Sequence, residues 1–410
     1  MSKQLVVIGG GAAGFFCAVN AARMDPSLKV ILIEKSNKLL SKVKVSGGGR
    51  CNVTHACFDI AEMSKQYPRG RHFVKKAFYQ FFTADTIKWF EERGVKLKTE
   101  EDGRMFPVTD SSQTIIDCLL KEANKYHIEI FMNKEVKKVN VQYSMFNVQC
   151  SNGETLQPDY LCIASGGYPK PGMFDWLKEL GHTIEEPVPS LFTFNLPKHP
   201  ITKLMGVSVE NASVKIVGAK LEEPGPLLIT HWGLSGPAVL RLSAWAAREL
   251  HAVGYQFVLR VNWRPALTRA ALASEFQARR VSQGARQLVN TPLAPLSARL
   301  WEALVLASGL TRETRWAALS KAQQHRLLEQ LTATDFTVTG KSLNKDEFVT
   351  CGGVRLDEVN FRTMESRLCP GLHFAGELLD IDGITGGFNF QSAWTTGWLA
   401  GSAIAEGEGR

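Results

Sequence analysis

The sequence predicts an α/β fold interrupted by an insertion, and three observations carry that expectation. A glycine-punctuated strand–helix–strand unit opens the chain, and a second glycine cluster set between a strand and a helix closes it. From about Ser190 the texture shifts to short alternating segments, then to Ala-, Leu-, Arg- and Gln-rich stretches, before the α/β pattern returns. At 410 residues the chain exceeds the ~250–300 over which a single hydrophobic core keeps growing, so more than one domain is expected.

Leu5 to Ile8 is a short apolar run rich in β-branched residues, as suits a strand buried on both faces of a parallel sheet. Ala12 to Met24 reads as a helix and Lys29 to Lys35 as the next strand, which makes a βαβ unit. The run Leu5 to Ala22 is long enough to imitate a membrane span, but Gly9, Gly10, Gly11 and Gly14 break it, so no targeting or membrane segment is expected and a cytoplasmic location follows. Helices are expected over "DTIKWFEERG" (Asp85 to Gly94) and "SSQTIIDCLLKEANKY", a strand, a turn and another strand in "IEIFMNKEVKKV", and a strand with a glycine turn in "YLCIASGG" (Tyr160 to Gly167).

Beyond Ser190, "LFTFNLP", "VSVENASVKIVG" and "GYQFVLRVNW" suggest an antiparallel β-domain. Pro265 to Leu331 favours helices, and "DFTVTGK" returns to a strand pattern. The expected division is 1–190 and 349–410 for the α/β domain, 191–262 with a return segment at 334–348 for the β insert, and 263–333 for a helical insert.

Hydrophobic residues at 44% and charged residues at 21% exclude a disordered chain. The eight cysteines show no C-x-x-C pair and no Cys/His spacing suited to zinc, so reduced thiols and no metal are expected. Net charge is +8, and residues 263–331 hold ten Lys/Arg against four Asp/Glu, a pattern open to an acidic partner, to nucleic acid or to a plain solvated surface.

Gly9-x-Gly11-x-x-Gly14 follows a strand and opens a helix, the context in which such glycines allow a tight turn, close approach to a pyrophosphate and close helix–strand packing. With Ala12 and Ala13 it presents the unpaired N–H groups of a helix N-terminus to phosphate. Glu34 ends the next strand twenty residues after Gly14, where a carboxylate accepts from both ribose hydroxyls of an adenosine and repels a 2′-phosphate. FAD or NAD, rather than NADP, fits that site. The C-terminal cluster favours FAD: Gly376-Glu377 at a strand end suits a ribityl–pyrophosphate portion, and Gly386-Gly387-Phe388-Asn389 before the last helix points N–H groups at a flavin. Val136, read as strand-end backbone, suits the adenine, and the Ser165-Gly166 turn is a further cofactor-binding candidate.

"GGGRCN" (Gly47 to Asn52) is open to four readings: hinge, phosphate cradle, reactive thiol or metal-ligand fragment. Cys51 beside Arg50 invites the thiol reading, against a small residue packed at the cofactor edge. His231 is a candidate proton donor or a hydrogen-bonded structural histidine, and "GLSGP" around Ser235 imitates a nucleophile elbow without an evident strand-to-helix context. "KQYPRGRHFVKKAF" gathers Lys65, Arg69, Arg71, Lys75 and Lys76 around aromatics, as for RNA, for a nicotinamide donor's phosphates, or for a solvated loop.

"SGGGRCNVT", "DGRMFPVTDSS", "THWGLSGPAVLRLSAW", "TCGGVRLDEVNFRTMES" and "GLHFAGELLDIDGITGGFNFQSAWTTGWLAG", spread over the whole chain, resemble the YhiN/BaiN-like family of NAD(P)/FAD-dependent oxidoreductases. The resemblance implies a glutathione-reductase-type FAD-binding Rossmann-like domain interrupted by a small β-barrel and a helical insert. It implies FAD contacts at Gly9 to Gly14, Glu34, Lys35, the Gly49-Arg50-Cys51 turn, Val136, Gly376, Glu377 and Gly387 to Asn389. The expected activity is hydride transfer from a transiently bound NAD(P)H through flavin N5 to a small organic acceptor such as an activated C=C bond. The alternatives are a flavin-dependent RNA-modifying (tRNA) enzyme and a flavin-binding electron-transfer scaffold; no membrane partner is expected.

Overall fold

The computed structural model describes residues 3–142, 145–342 and 349–407 and divides into two compact units, Met1–Ser190 with Asn344–Arg410, and Leu191–Leu343. Residues 343–348 of the expected return segment lie outside the described residues.

The first unit is built on five parallel strands: β1 (Gln4–Ile8), β2 (Lys29–Ile33), β3 (Glu129–Phe131), β4 (Tyr160–Ile163) and β5 (Leu372–Phe374), in the spatial order β5-β4-β1-β2-β3. Helix α1 (Ala12–Met24) crosses over between β1 and β2, and the last helix, α2 (Phe388–Glu406), lies against it. Residues Leu5 to Val7 have no solvent exposure, which is why β1 reads as an unbroken apolar run rather than an alternating one. α1 and α2 approach through small residues. A Cβ on Gly397 would stand 2.6 Å from the carbonyl oxygen of Ala13, and one on Gly401 2.6 Å from that of Cys17, so these two i, i+4 glycines let the backbones nearly touch. Residues near the two ends of the chain thus share one layer under the sheet.

Smaller elements decorate this frame: a pairing of Thr54–His55 with Arg104–Pro107 and Leu97–Thr99, a hairpin of Val136–Gln142 and Met145–Cys150, and an antiparallel pair Ile184–Ser190 with Val349–Val354. The two expected amphipathic helices lie at Thr83–Glu91 and Ser112–Lys125.

The second unit has a seven-stranded antiparallel sheet, with helices at Pro237–Trp245, Arg269–Ser282, Ala298–Ala307 and Lys321–Thr332. Strands and helices share one core. Its buried indoles all find acceptors: Trp263 donates to Thr334 Oγ1 at 2.8 Å, Trp301 to the Leu288 carbonyl at 2.6 Å and Trp316 to Thr291 Oγ1 at 2.8 Å. Thr268, Ser297 and Ser320 cap three of the helices by accepting backbone N–H bonds, and Gln323 reaches back to the Ser320 N–H to complete a capping box.

Two expectations in this unit are corrected. "GLSGP" does sit at a strand-to-helix turn, between Gly233–Ser235 and a helix begun by Pro237, because proline's fixed φ suits a first helical turn. Ser235 Oγ nevertheless accepts from Thr193 Oγ1 at 3.0 Å, with no base in the role an elbow requires. The reading of His231 as a hydrogen-bonded structural histidine is not met: it makes no hydrogen bond among the described residues and is exposed, with its ring 4.6 Å from that of Trp232. Among the described residues no helix is long and apolar enough to cross a membrane, and no group of His, Cys, Asp and Glu could hold a metal.

Candidate functional site

The glycines after β1 divide by what surrounds them. A Cβ on Gly9 would lie 2.3 Å from the Ala164 carbonyl oxygen, and one on Gly14 1.9 Å from that of Gly9; these two are demanded by packing. A Cβ on Gly11 would meet nothing within 4 Å. Gly11 therefore borders open space at the N-terminus of α1, whose first turn carries no acidic residue, with Ala12 and Ala13 completing that turn. Gly166, in the turn after β4, faces open space in the same way, beside Ser165.

Glu34 is fixed beside this turn. Its Oε2 accepts from the Gly10 N–H at 2.9 Å, and its Oε1 from the N–H and hydroxyl of Ser36 at 2.9 and 2.8 Å. The bonds orient the carboxylate and leave Oε2 with a free lone pair. Lys134 N–H donates to the Glu34 carbonyl at 3.0 Å, which brings the segment leading to Val136 alongside. The Lys35 ammonium lies 5.8 Å from the centre of the Tyr168 ring, so the segments that follow β2 and β4 face each other.

A second group forms at the end of β5. Gly376 sits against α1, where a Cβ would come 2.8 Å from that of Ala13, and its N–H donates to Thr396 Oγ1 of α2 at 2.9 Å. Glu377 accepts from the Thr350 N–H at 2.8 Å and pairs with Lys42 at 2.6 Å. Thr350 Oγ1 is buried without a hydrogen-bond partner in the structure, right beside Gly167 and Glu377. Lys42 and Thr350 were not expected from the sequence. Their contacts are long-range, and although Thr350 opens "TCGGVRLDEVNFRTMES", no site role follows for it from the sequence alone.

The third group joins "GGGRCN" to the start of α2. With its amide oriented to satisfy both atoms, Asn52 accepts from the Gly387 N–H at 2.9 Å and donates to the Thr54 carbonyl at 3.0 Å. Thr54 Oγ1 donates to Gln391 Oε1 at 2.6 Å, Trp394 Nε1 to the Val53 carbonyl at 2.9 Å, and the His55 ring stacks on Phe388 at 4.7 Å. Gly387, in the left-handed region at φ 96°, caps α2 with a Cβ position 2.5 Å from the Thr54 carbonyl oxygen, so no side chain fits there. Phe388 is buried and its carbonyl accepts from Tyr67 at 2.6 Å, while the Asn389 amide closes the loop on both backbone groups of Gly383. The side chains of Phe388 and Asn389 thus build the turn, and the first N–H groups of α2 after Gly387 have no partner within the helix. Gly48 and Gly49 border open space.

The expectation for Arg50 in this turn is corrected, and the two readings of Cys51 are separated. Arg50 does not direct its charge at Cys51 or at the open side of the turn. Its guanidinium lies 4.0 Å from the centre of the Phe106 ring and pairs with Glu100 at 2.5 Å and Asp110 at 3.6 Å. Cys51 is fully buried, and that burial pushes its thiol up to about 12, so the thiolate a nucleophile needs is not formed. All eight cysteines are free.

A glycine turn open at Gly11, a strand-end acid and a helix start held by "GGGRCN" thus belong to one unit. Residues 3–403 match the HI0933-like protein Rossmann domain. The chain belongs to this family of YhiN/BaiN-type flavoproteins. The HI0933-like members are flavin-dependent oxidoreductases. Among relatives, the chain is 28% identical over 98% of its length and 99% of the relative's to a 3-dehydro-bile acid delta(4,6)-reductase of Clostridium scindens. It is 32% identical, over 96% of each, to a ribosomal RNA dihydrouridine synthase of Escherichia coli. In fold it is similar to a 3-ketosteroid-delta4-(5alpha)-dehydrogenase of Rhodococcus jostii, with a TM-score of 0.52 at 12% identity, covering 98% of this chain and 97% of that one.

Proposed function

We propose that the protein is an FAD-dependent reductase that adds two hydrogens across a carbon–carbon double bond conjugated to a carbonyl, with NADH or NADPH as the electron source. The observation that carries the cofactor assignment is the open helix start at Gly11 on α1, a helix locked through Gly397 and Gly401 to α2, whose own start is built tightly around Gly387. The residues fit the group. Gly11 and Gly166 leave backbone-lined space, Glu34 is oriented for a ribose, and the unpartnered Thr350 hydroxyl beside Glu377 awaits a polar partner. FAD, when bound, supplies the two-electron chemistry, taking a hydride from the nicotinamide and passing one to the double bond while a proton completes the addition.

On this reading the N-terminus of α1, with Ala12 and Ala13, holds the pyrophosphate, and Glu34, Lys35, Val136, Ser165 and Gly166 hold the adenosine end. Gly376 and Glu377 hold the ribityl chain. Gly49, Arg50 and Cys51 would offer backbone to the ring edge, and Phe388 and Asn389, at the turn that Gly387 shapes, would present helix-start N–H groups to the ring.

The acceptor chemistry is common to both relatives' names. A delta(4,6)-reductase of a 3-dehydro bile acid saturates double bonds conjugated to a ketone, and dihydrouridine is uridine saturated at the bond conjugated to its ring carbonyl. A small enone is the leading substrate. The second reading is a uracil within RNA, favoured by the 32% identity to the E. coli relative and by the chain's net charge of +8. The absorbance spectrum of the purified protein, followed by anaerobic stopped-flow mixing with NADH and NADPH, tests the assignment. Bound flavin bleached by either nucleotide and reoxidised by a steroid enone or a uridine-containing RNA is expected. Absence of flavin, or flavin that neither nucleotide bleaches, would overturn it.

A further inference from the structure

The first unit carries a cavity of about 480 Å³ lined by Lys76, Tyr79, Gln80, Phe361 and Arg362, none of which takes part in the site described above. Its near wall is the end of the helix Arg71–Ala77. That helix buries Val74 and Ala77 and carries Lys75 and Lys76 in its last turn, after which Phe78 is buried and Tyr79 is left 73% exposed. The far wall is the loop holding Phe361 and Arg362. The Lys76 ammonium lies 5.3 Å and the Arg362 guanidinium carbon 5.6 Å from the centre of the Phe361 ring. Neither cation has an ion-pair partner among the described residues, unlike Lys65, which pairs with Glu62 nearby. Two exposed cations without acids thus stand beside one half-buried aromatic ring and a second, exposed one. The combination is chemically specific, since aromatic faces stack on bases and cations neutralise the phosphates that join them.

We propose that this groove holds one nucleotide of a single-stranded RNA, its base stacked against Tyr79 and Phe361 and its flanking phosphates met by Lys76 and Arg362. The inference rests on the RNA reading of the proposed function and names the surface that reading needs. A strand fits better than a free dinucleotide because the cations continue beyond the cavity. Arg71 is exposed and Lys75 lies four residues on, so these two share one face of the helix and track a further phosphate. Gln80 on the rim supplies donors and an acceptor for a base edge.

The test is fluorescence anisotropy of the flavin-loaded protein with a labelled uridine-rich 12-mer over a salt series, using wild type, Tyr79→Ala and the double variant Lys76→Gln/Arg362→Gln. Tyr79→Ala is expected to weaken binding ~5- to 100-fold, the effect of one stacked base. The double variant is expected to lower the slope of log affinity against log salt by about 1.4, at ~0.7 per phosphate contact on a single strand. Melting temperature and flavin content equal to wild type establish that the variants fold. If wild type binds and both variants bind equally well with the same slope, the groove is not the RNA site although the RNA reading survives. If wild type does not bind the 12-mer, the RNA reading fails and the inference with it. If the variants lose affinity for NADH or NADPH and not for RNA, the groove belongs to the dinucleotide and the inference is overturned.

Discussion

Nε of Arg69 lies 2.6 Å from Oδ1 of Asp382, and the second prong of the guanidinium meets Oδ2 of the same fully buried carboxylate. Ser190 Oγ donates to Oδ2 at 2.9 Å, so the aspartate ahead of α2 is held from two other segments of its unit. Burial pushes the Asp382 carboxyl upward, and the Arg69 charge opposes that shift. Removing one partner strands a charge in a dry environment. Arg69→Leu is therefore expected to lower stability by about 3–5 kcal/mol, while Arg69→Leu combined with Asp382→Leu costs less than the sum of the two single changes. Urea unfolding of the four proteins in the cycle checks this; additive losses would show that the pair is not coupled.

The glycines after β1 make separable predictions. Gly14→Ala places a methyl carbon 1.9 Å from the Gly9 carbonyl oxygen and must push α1 off the sheet, so expression or melting temperature falls steeply. Gly11 has ordinary extended backbone at φ −93° and open space around its Cβ position. Gly11→Ala is expected to cost under about 1 kcal/mol of stability in the apoprotein. Its methyl intrudes where a pyrophosphate approaches the backbone, and flavin affinity is expected to fall ~10- to 100-fold, the ~1–3 kcal/mol of an overpacked contact. Apoprotein melting and flavin titration, done on both variants, separate the two effects. Equal flavin affinity in Gly11→Ala and wild type would remove the pyrophosphate from that turn.

Cys51 is expected to be chemically silent. Its thiol is buried and lifted to about 12, whereas Cys57 is partly exposed. Iodoacetamide at pH 8 should label Cys57 in the native protein and reach Cys51 only after unfolding, as peptide mapping would show. Cys51→Ser should leave the rate of flavin reduction by NAD(P)H unchanged; a collapse of that rate with normal flavin content would restore the thiol to the chemistry.

The βαβ unit was legible because its signals are local. Three glycines, an apolar strand and an acid twenty positions on occupy one stretch of chain, and α1 begins and ends where the period of the sequence changes. "GGGRCN" was ambiguous for the opposite reason. What fixes its role is a contact across more than 330 positions, from Asn52 and Thr54 to Gly387 and Gln391, and no local pattern reports such a pairing. The same limit hid Lys42 beside Glu377 and Arg69 beside Asp382. Arg50 was misread because adjacency in sequence to Cys51 says nothing of direction, and its side chain turns toward Phe106 and Glu100. In "GLSGP", the strand before Pro237 has only three residues, too short for periodicity to announce.

His373, at the middle of β5, makes stability depend on pH. It has no solvent exposure, Nδ1 is 2.9 Å from the Thr363 carbonyl, and Nε2 has no partner in the structure. Burial holds the imidazole down at about 4, against 6.5 for the free side chain. The folded value is the lower one, so on acidification the unfolded chain takes up the proton first. This contribution to stability is complete above pH ~6.5, is lost as pH falls toward about 4, and is then level. At 1.36 kcal/mol per pKa unit, about 2 kcal/mol disappears between pH 7 and pH 5. His182 adds to the slope in the same direction, because burial also lowers it despite its bond to Glu358. His373→Gln introduces no titrating group and should reduce the pH 7 to pH 5 difference in unfolding free energy by that ~2 kcal/mol, whatever it does to stability at pH 7 itself. An unchanged difference in the variant would mean that the imidazole of His373 is already protonated in the folded protein, and that the orphaned Nε2 carries a partner.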